Sequence, residues 1–282
     1  MRLQLSLPAL LLLLLLGPVR AEIPRSGISD YVRVLKGPTT QLQTAVVTMR
    51  GPKGQRLDLV SAVHLADPIY YQTLNTRFQG YQAVLYELIL PEEMAGQRLP
   101  SKLGNEGALS GVQSTLARSL GLTTQLERID YSAPNFVHAD LSQEALSRTM
   151  ETRNESLLTY FQKAMANSGK VTDLGVTEAE LGALDMMALM RGEAKPQDRK
   201  TLKKLMSTVL TSSDGVMASM EDTAIVAERN KAALTAVDRT LTSGSTKLAL
   251  FYGAAHMPDL ESKLKQRGWA RTEVNWLPAW TF

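Results

Sequence analysis

Several kinds of catalytic chemistry are excluded by what this sequence lacks. It contains no cysteine, so neither a disulfide framework nor a thiol nucleophile is available. No serine lies in a G-x-S-x-G turn, and the glycines form neither a phosphate-binding loop nor a dinucleotide-binding fingerprint. We therefore do not expect covalent serine or cysteine hydrolysis, phosphoryl transfer or nicotinamide chemistry.

The chain also lacks a strong excess of charge of either sign. It has 31 lysine and arginine residues against 28 acidic residues. A surface that binds nucleic acid usually carries a basic stripe with interleaved aromatic residues, and the sequence shows no such stripe. We expect no nucleic-acid partner.

Long apolar runs are absent except at the amino terminus. Arg2 precedes an apolar run from Leu3 to Leu16, and the small residues Val19 and Ala21 follow it. This pattern predicts a secretory signal peptide over residues 1–21, cleaved after Ala21. The run is shorter than the roughly 20 residues that span a membrane. We therefore expect an exported protein, located in the bacterial periplasm, with no stable membrane anchor after cleavage.

Histidine is scarce, and its placement is the strongest signal in the sequence. The chain has three histidines. His64 lies in the segment from Leu57 to Pro68, and His256 lies in the segment from Leu248 to Leu260. Each segment reads as an apolar strand, then a histidine, then a proline that begins a helix. The two histidines are therefore predicted to occupy equivalent positions at the carboxyl ends of strands, where ligands bind in open α/β sheets.

The neighbouring segments predict the rest of the sheet. Two strands over residues 42–49 and 56–63 form a hairpin, a helix runs from Pro68 to about Gly80, and residues 83–90 form a central strand. The apolar stripe of the helix is predicted at Ile69, Leu74 and Phe78. A strand, a helix and a strand follow again over residues 247–277. We predict an α/β fold in which a mixed central sheet is built from two strand-GxxH-helix-strand halves, as one domain over residues 22–282.

A long helical insertion at about residues 100–245 is predicted between the two halves. Helix-start patterns occur at Ser142 and Thr177. Methionines concentrate in the second part of the insertion, at Met186, Met187, Met190, Met206, Met217 and Met220. Because methionine fills irregular gaps, we interpret them as an adaptable helical core, with a mobile cap over the sheet as the functional alternative.

Glu87 is the third residue that could carry chemistry. It lies within a strongly apolar segment, where an unpaired carboxylate would be costly to bury. An ion pair with a helix arginine is the ordinary explanation. With His64 and His256, however, Glu87 would complete a set of two nitrogens and one oxygen of the kind that metal-dependent hydrolases use. The residues alone leave open whether the imidazoles bind a metal or act as general acid and base.

Several short segments together resemble a known family. They are Ser61 to His64, Tyr86-Glu87, Ala139 to Leu141, Glu228-Arg229-Asn230, and Gly253 to His256 with Met257-Pro258-Asp259-Leu260 after it. In this order and spacing the chain resembles the TraB/PrgY/GumN family, whose wider relatives include the TIKI proteases and the erythromycin esterase-like and ChaN-like folds. One departure is Ser61, which stands where the first motif of the family has glycine.

The resemblance implies an α/β core with a helical insertion, and it implies roles for individual residues. His64, Glu87 and His256 become candidate metal ligands or acid/base groups. Arg229 becomes a candidate for holding a carboxylate or an oxyanion, with Asn230 beside it as a substrate-binding candidate. For TIKI-like members the resemblance implies metal-dependent peptide cleavage. For other relatives it implies ester hydrolysis, haem binding or pheromone control.

The leading hypothesis is an exported hydrolase of peptide or related acyl bonds that depends on a divalent metal. The alternatives are a non-catalytic periplasmic protein that binds or sequesters haem, a peptide or another small molecule, and a family member that has lost activity. His138 is expected to have a structural role, and Asp140 is expected to be either a helix-start cap or an acid of the site. The sequence assigns neither the substrate nor the oligomeric state.

Overall fold

A computed structural model describes residues 27–94, 96–101, 103, 108–155, 176–212 and 223–282. The predicted signal peptide lies outside these ranges, as do Met217 and Met220 and the predicted continuation of a helix towards Met165. Within the described ranges, no helix is both long and apolar enough to cross a membrane.

Nine strands lie in the described part of the chain. They are β1 (Val32–Leu35), β2 (Gln41–Arg50), β3 (Arg56–Ala62), β4 (Leu65–Ala66), β5 (Ala83–Tyr86), β6 (Thr123–Thr124), β7 (Phe136–His138), β8 (Lys247–Gly253) and β9 (Ala270–Thr281). Seven of them form the central sheet, and β4 pairs separately with β6.

The central sheet is mixed, as predicted. Its strand order is β1-β2-β3-β8-β5-β7, and β9 also pairs with β2. Strand β2 is antiparallel to β1, β3 and β9, whereas β3, β8, β5 and β7 pair in parallel. The carboxyl ends of β3, β8, β5 and β7 therefore meet at one edge of the sheet. The predicted α/β class is confirmed.

The helices of the described ranges are α1 (Pro68–Phe78), α2 (Ala108–Leu120), α3 (Gln125–Arg128), α4 (Gln143–Thr152), α5 (Glu178–Gly182), α6 (Met186–Arg191), α7 (Pro196–Thr211), α8 (Ala224–Thr242) and α9 (Met257–Gln266). Short 3-10 helices cover Ile28–Asp30, Glu92–Met94 and Ala254–His256. The predicted caps are present: Ser142 accepts a hydrogen bond from the Ala145 amide, and Thr177 accepts one from the Glu180 amide.

The sheet is buried on both faces, which explains why its central strands are apolar without alternation. Ala249 and Phe251 belong to one hydrophobic cluster, which α1 covers with Leu74 and Phe78 among others. The alternate residues of β8, Leu248, Leu250 and Tyr252, belong to a second cluster, to which α8 and α9 contribute. Because successive strand residues point to opposite faces, the two clusters lie on opposite sides of the sheet.

The connections that leave β3 and β8 run over opposite faces. The chain passes from β3 through α1 to β5 on the first face, and from β8 through α9 to β9 on the second. Because β3 and β8 are neighbours in the sheet, the boundary between their carboxyl ends is a topological switch point. Open α/β sheets bind ligands in the crevice at such a point.

Three local predictions differ from the structure. The strand predicted over residues 83–90 ends at Tyr86, so Glu87 lies just beyond the strand and not in its middle. Ile69, expected on the buried stripe of α1, is 63% exposed, and Tyr70 and Tyr71 are buried in its place. The insertion is not purely helical, because β7 lies within it and joins the central sheet.

Candidate functional site

Four loops at the carboxyl edge of the sheet bring the candidate residues together. His64 follows β3, Glu87 follows β5, Asp140 follows β7 and His256 follows β8. Arg229 and its neighbour Asn230 reach the same edge from α8. The side chains come from positions between His64 and His256 in the chain, so only the parallel arrangement of the strands assembles them.

His256 ends the 3-10 helix that follows β8, and its side chain is buried. Its Nδ1 atom lies 2.7 Å from the Asn230 side-chain oxygen. The ring also makes an edge-to-face contact with Tyr252, with 5.2 Å between the ring centroids. Both contacts fix the plane of the imidazole, which leaves Nε2 as the ring nitrogen that faces Glu87.

The hydrogen bonds of Asn230 determine which nitrogen of His256 carries a proton. The Asn230 amide nitrogen donates to the His256 carbonyl oxygen at 3.1 Å and to the Asp259 carboxylate at 2.8 Å. Both amide protons are therefore used, and the Asn230 oxygen must accept from an Nδ1–H group. The neutral imidazole consequently has its lone pair on Nε2, the form that either accepts a proton or binds a metal.

Glu87 is held by three groups. Its Oε2 accepts from the Gly253 amide at 2.5 Å, and its Oε1 accepts from Arg229 at 2.7 Å. The same Oε1 lies 3.5 Å from His256 Nε2. Burial alone would raise the pKa of Glu87, but the charges of Arg229 and His256 and a smaller contribution from His64 outweigh burial and hold the pKa well below its usual range. Glu87 is therefore an ionised carboxylate.

Arg229 lies between two carboxylates of the protein. It donates to Asp140 through Nε at 2.9 Å and through Nη2 at 2.5 Å, and it also contacts Glu87. Burial would lower the pKa of the guanidinium, but Glu87 and Asp140 outweigh burial and raise it. Two carboxylates face one guanidinium, so the group has one more acidic side chain than basic ones. This excess favours a metal cation beside Glu87 and His256.

Gly253 is the point of closest approach between β8 and the charged group. A Cβ atom added there would lie 3.3 Å from Glu87 Oε2 and 3.8 Å from His256 Cδ2. A side chain at this position would therefore crowd the carboxylate that the Gly253 amide holds. The φ angle of Gly253 is −55°, which any residue can adopt. Glycine is therefore needed here for the close approach and not for the backbone conformation.

His64 lies at the same edge but not in an equivalent position. Strand pairing places Ala62 opposite Gly253 and Ser61 opposite Tyr252, so the two motifs are offset by one residue. Ser61 is buried and donates from its hydroxyl to the Tyr31 carbonyl oxygen at 3.3 Å. His64 is exposed, whereas His256 is buried. The prediction of equivalent histidines is therefore wrong in register, although both side chains lie close enough to Glu87 to lower its pKa.

An apolar cavity of about 230 Å³ opens beside the switch point. His64 and Gly253 both line it, together with side chains from the ends of β1 and β3, from α2 and α7, and from β9. The cavity therefore adjoins the pair formed by Glu87 and His256, with Gly253 as the shared wall.

The predicted metal ligands fit a divalent ion in part. Two ligands at about 2.0–2.2 Å from a tetrahedral ion are separated by roughly 3.4 Å, and the distance from Glu87 Oε1 to His256 Nε2 is 3.5 Å. The part of the chain that the structure describes has no group of three histidine, aspartate or glutamate side chains close enough to hold a metal. The exposed His64 would have to turn towards the pair to complete the set.

The sequence pointed to Asp140 and Asn230 but did not predict which groups they contact. Asp140 was weighed as a cap or a site acid, and the structure shows it as the bidentate partner of Arg229 that also accepts from the Leu141 amide. Asn230 was predicted to bind substrate, but it is fully buried and instead orients His256. His138 has a structural contact, since its Nε2 lies 2.6 Å from the Leu88 carbonyl oxygen.

The chain was compared with known protein families, curated proteins and solved structures. No family model, no curated protein and no solved structure matches the chain.

Proposed function

We propose that this protein is an exported hydrolase of peptide or related acyl bonds, of the kind found among TraB/PrgY/GumN and TIKI-like proteins. The observation that supports it is the pairing of His256 with Glu87 at the switch point of the sheet. Asn230 holds His256 in the tautomer with a free Nε2, and Glu87 is ionised beside it. An oriented imidazole next to a carboxylate is the arrangement that general-base catalysis requires.

In the proposed reaction, His256 Nε2 takes a proton from the attacking water. The resulting imidazolium is stabilised by Glu87 at 3.5 Å and by the hydrogen bond from Nδ1–H to Asn230. Arg229 keeps Glu87 ionised and holds both Glu87 and Asp140 in place. The proton on Nε2 is then available for the leaving group, so His256 acts as base and afterwards as acid.

A divalent metal would be held by His256, Glu87 and His64. When bound, it would supply a water of lowered pKa and polarise the carbonyl group of the substrate. Arg229 would orient one of these ligands, because its hydrogen bond to Glu87 Oε1 at 2.7 Å holds that oxygen towards His256. The Nδ1–H bond to Asn230 likewise directs Nε2 towards Glu87, as hydrogen-bond partners of metal-bound histidines orient the ring.

Substitution of His256 tests the proposal directly. Purified wild-type protein, His256→Ala and Glu87→Gln would be assayed with a fluorogenic peptide library and with p-nitrophenyl esters, with and without EDTA and added Zn²⁺, Mn²⁺ or Co²⁺. We expect each substitution to reduce hydrolysis by at least a hundredfold. His138→Gln is the matched control, because glutamine retains a donor for the Leu88 carbonyl oxygen, and its activity should match the wild type.

Two outcomes would contradict the proposal. One is unchanged hydrolysis by His256→Ala, and the other is the absence of hydrolysis of every substrate by the wild-type protein. Nuclear magnetic resonance of ¹⁵N-histidine-labelled protein would check the mechanism separately. A His256 signal with the proton on Nε2 in the neutral ring would contradict the role assigned to Asn230.

A second candidate is a binding protein that performs no turnover. One observation favours it: the His256 side chain is 5% exposed and that of Glu87 is 11% exposed, which restricts access for a substrate. Peptide binding without cleavage would support this candidate. For haem, the cavity of about 230 Å³ is smaller than the roughly 300–1,000 Å³ of pockets for drug-sized ligands, and a haem titration followed by absorption spectroscopy tests that ligand.

A further inference from the structure

We propose that the apolar cavity beside Gly253 is a specificity subsite that takes a compact, uncharged apolar group of the molecule bound at His256 and Glu87. The inference rests on the proposed function, because it names the group that the substrate carries next to the bond that is cleaved. The size, lining and position of the cavity each support it.

The lining of the cavity is almost wholly apolar. Its apolar side chains come from six separate segments of the chain and include Val32, Val63, Leu116, Leu210, Ala254 and Trp280, while Gly253 and His64 complete the wall. A charged group that entered would lose its hydration without gaining a partner of opposite charge, which is costly. The cavity therefore favours neutral apolar groups.

The position of the cavity connects it to the candidate reaction centre. Gly253 lines the cavity, and its backbone amide holds Glu87. A Cβ atom at Gly253 would lie within 4 Å of both Glu87 Oε2 and His256 Cδ2. The Gly253 backbone therefore adjoins both the cavity and the pair, so a group in the cavity would belong to the part of a substrate next to the reacting bond.

The volume limits the size of the group. An apolar cavity of about 150 Å³ is large enough to bind benzene, and this cavity is about 230 Å³. A phenyl ring or a branched aliphatic chain of similar size fits these dimensions. A single methyl group would leave most of the cavity without contacts.

Part of the wall is fixed before any ligand binds. Trp280 is buried, and its indole nitrogen donates to the Ser207 hydroxyl at 3.1 Å, which ties β9 to α7. Met206 and Leu210 stand on the same helix as Ser207 and pack against the core. The cavity is therefore a preformed space, and a ligand would not have to create it.

Filling the cavity is the sharpest test. Leu210→Trp places a large ring in the space, whereas Val209→Trp is a matched control on the same helix at a half-buried residue that does not line the cavity. The probe is N-acetyl-phenylalaninamide, with N-acetyl-glycinamide as the probe without a side chain. Binding is followed through the ¹³C-methyl signal of Met206 in the full-length protein, assigned with Met206→Leu.

We expect the phenylalanine probe to shift the Met206 signal of the wild type and of Val209→Trp. In Leu210→Trp its Kd should rise at least tenfold, and the glycine probe should cause no shift in any variant. A Met206 signal that does not respond to the phenylalanine probe would overturn the proposal. An equal response in Leu210→Trp would also overturn it.

The binding assay separates this inference from the proposed function. If the probe binds in the cavity but no peptide or ester is hydrolysed, the subsite stands and the hydrolase proposal fails. If hydrolysis depends on His256 but is equal for phenylalanyl and glycyl substrates, with Leu210→Trp unchanged, the hydrolase stands and the subsite fails. Hexanamide, tested in parallel, distinguishes an acyl chain from an amino-acid side chain as the apolar group.

Discussion

At the scale of single residues, the role of each side chain in the site follows from whether its hydrogen-bonding atoms already have partners within the protein. The family resemblance implied that Arg229 and Asn230 contact a substrate. Their donors instead satisfy Glu87, Asp140, Asp259 and the His256 backbone. They are therefore positioning residues in the proposed mechanism, and His256 with Glu87 is the pair that contacts the reacting groups.

Gly253→Ala tests the close approach of β8 to that pair. The added Cβ would lie 3.3 Å from Glu87 Oε2, so the carboxylate must shift from the position in which the Gly253 amide holds it. We expect hydrolysis to fall at least tenfold, while the free energy of unfolding falls by only about 1 kcal/mol, as for a mild steric insertion. Initial rates and urea unfolding curves would measure the two effects.

Gly182→Ala is the matched control for that prediction. A Cβ atom at Gly182 meets no other atom within 4 Å, and the residue lies at the end of α5. Alanine should stabilise the protein by roughly 0.5–1 kcal/mol through its lower backbone entropy in the unfolded state, with unchanged activity. Equal losses of activity in both variants would show that the position of Gly253 has no special importance.

At the scale of elements, local sequence chemistry predicted the starts of helices better than the ends of strands. Ser142 and Thr177 each satisfy an amide three residues away, so their effect is visible in a short segment. The end of β5 at Tyr86 depends on where its neighbours end, and the exposure of Ile69 depends on which side of α1 meets the sheet. Both properties depend on tertiary contacts, which the hydrophobic periodicity of the sequence does not reveal.

Asp58 provides a test at the amino end of β3. It is fully buried, accepts from Arg56 at 2.8 and 2.9 Å, and accepts from the Tyr81 hydroxyl at 2.6 Å. Burial alone would raise the pKa of Asp58, but these hydrogen bonds lower it below its ordinary value. The contacts connect β3 to the turn that precedes β5.

The sign of the pH dependence follows from that lowered pKa. A carboxylate with a depressed pKa in the folded state stabilises the fold above its unfolded pKa of about 3.9, and this stabilisation is lost as pH falls through the folded pKa. At pH 7, Asp58→Asn should lower the free energy of unfolding by roughly 2 kcal/mol. The difference from wild type should shrink at pH 3. Urea unfolding at both pH values measures it, and a constant difference would contradict the assignment.

At the scale of the whole molecule, the predicted sheet and the central place of the two histidines agree with the fold, but the pairing that holds the site together was not predictable. His64 and His256 follow parallel neighbours, as their matching segments indicated. The one-residue offset between them and the contact of Arg229 with Asp140 arise only when strands and helices are brought together. No local pattern links two residues that are 89 positions apart.

The ion pairs of Arg229 with Glu87 and Asp140 join α8 to the loops after β5 and β7. Loss of the Arg229 guanidinium should therefore affect the stability of the entire fold. Arg229→Met leaves Glu87 and Asp140 buried without their cation, and breaking a buried ion pair in this way costs about 3–5 kcal/mol. The double variant Arg229→Met with Asp140→Asn removes one of the two carboxylate charges, and we expect it to be more stable than Arg229→Met alone. Urea unfolding of the wild type, both single variants and the double variant completes the cycle. Additive losses would contradict the inference that these residues act as one electrostatic unit.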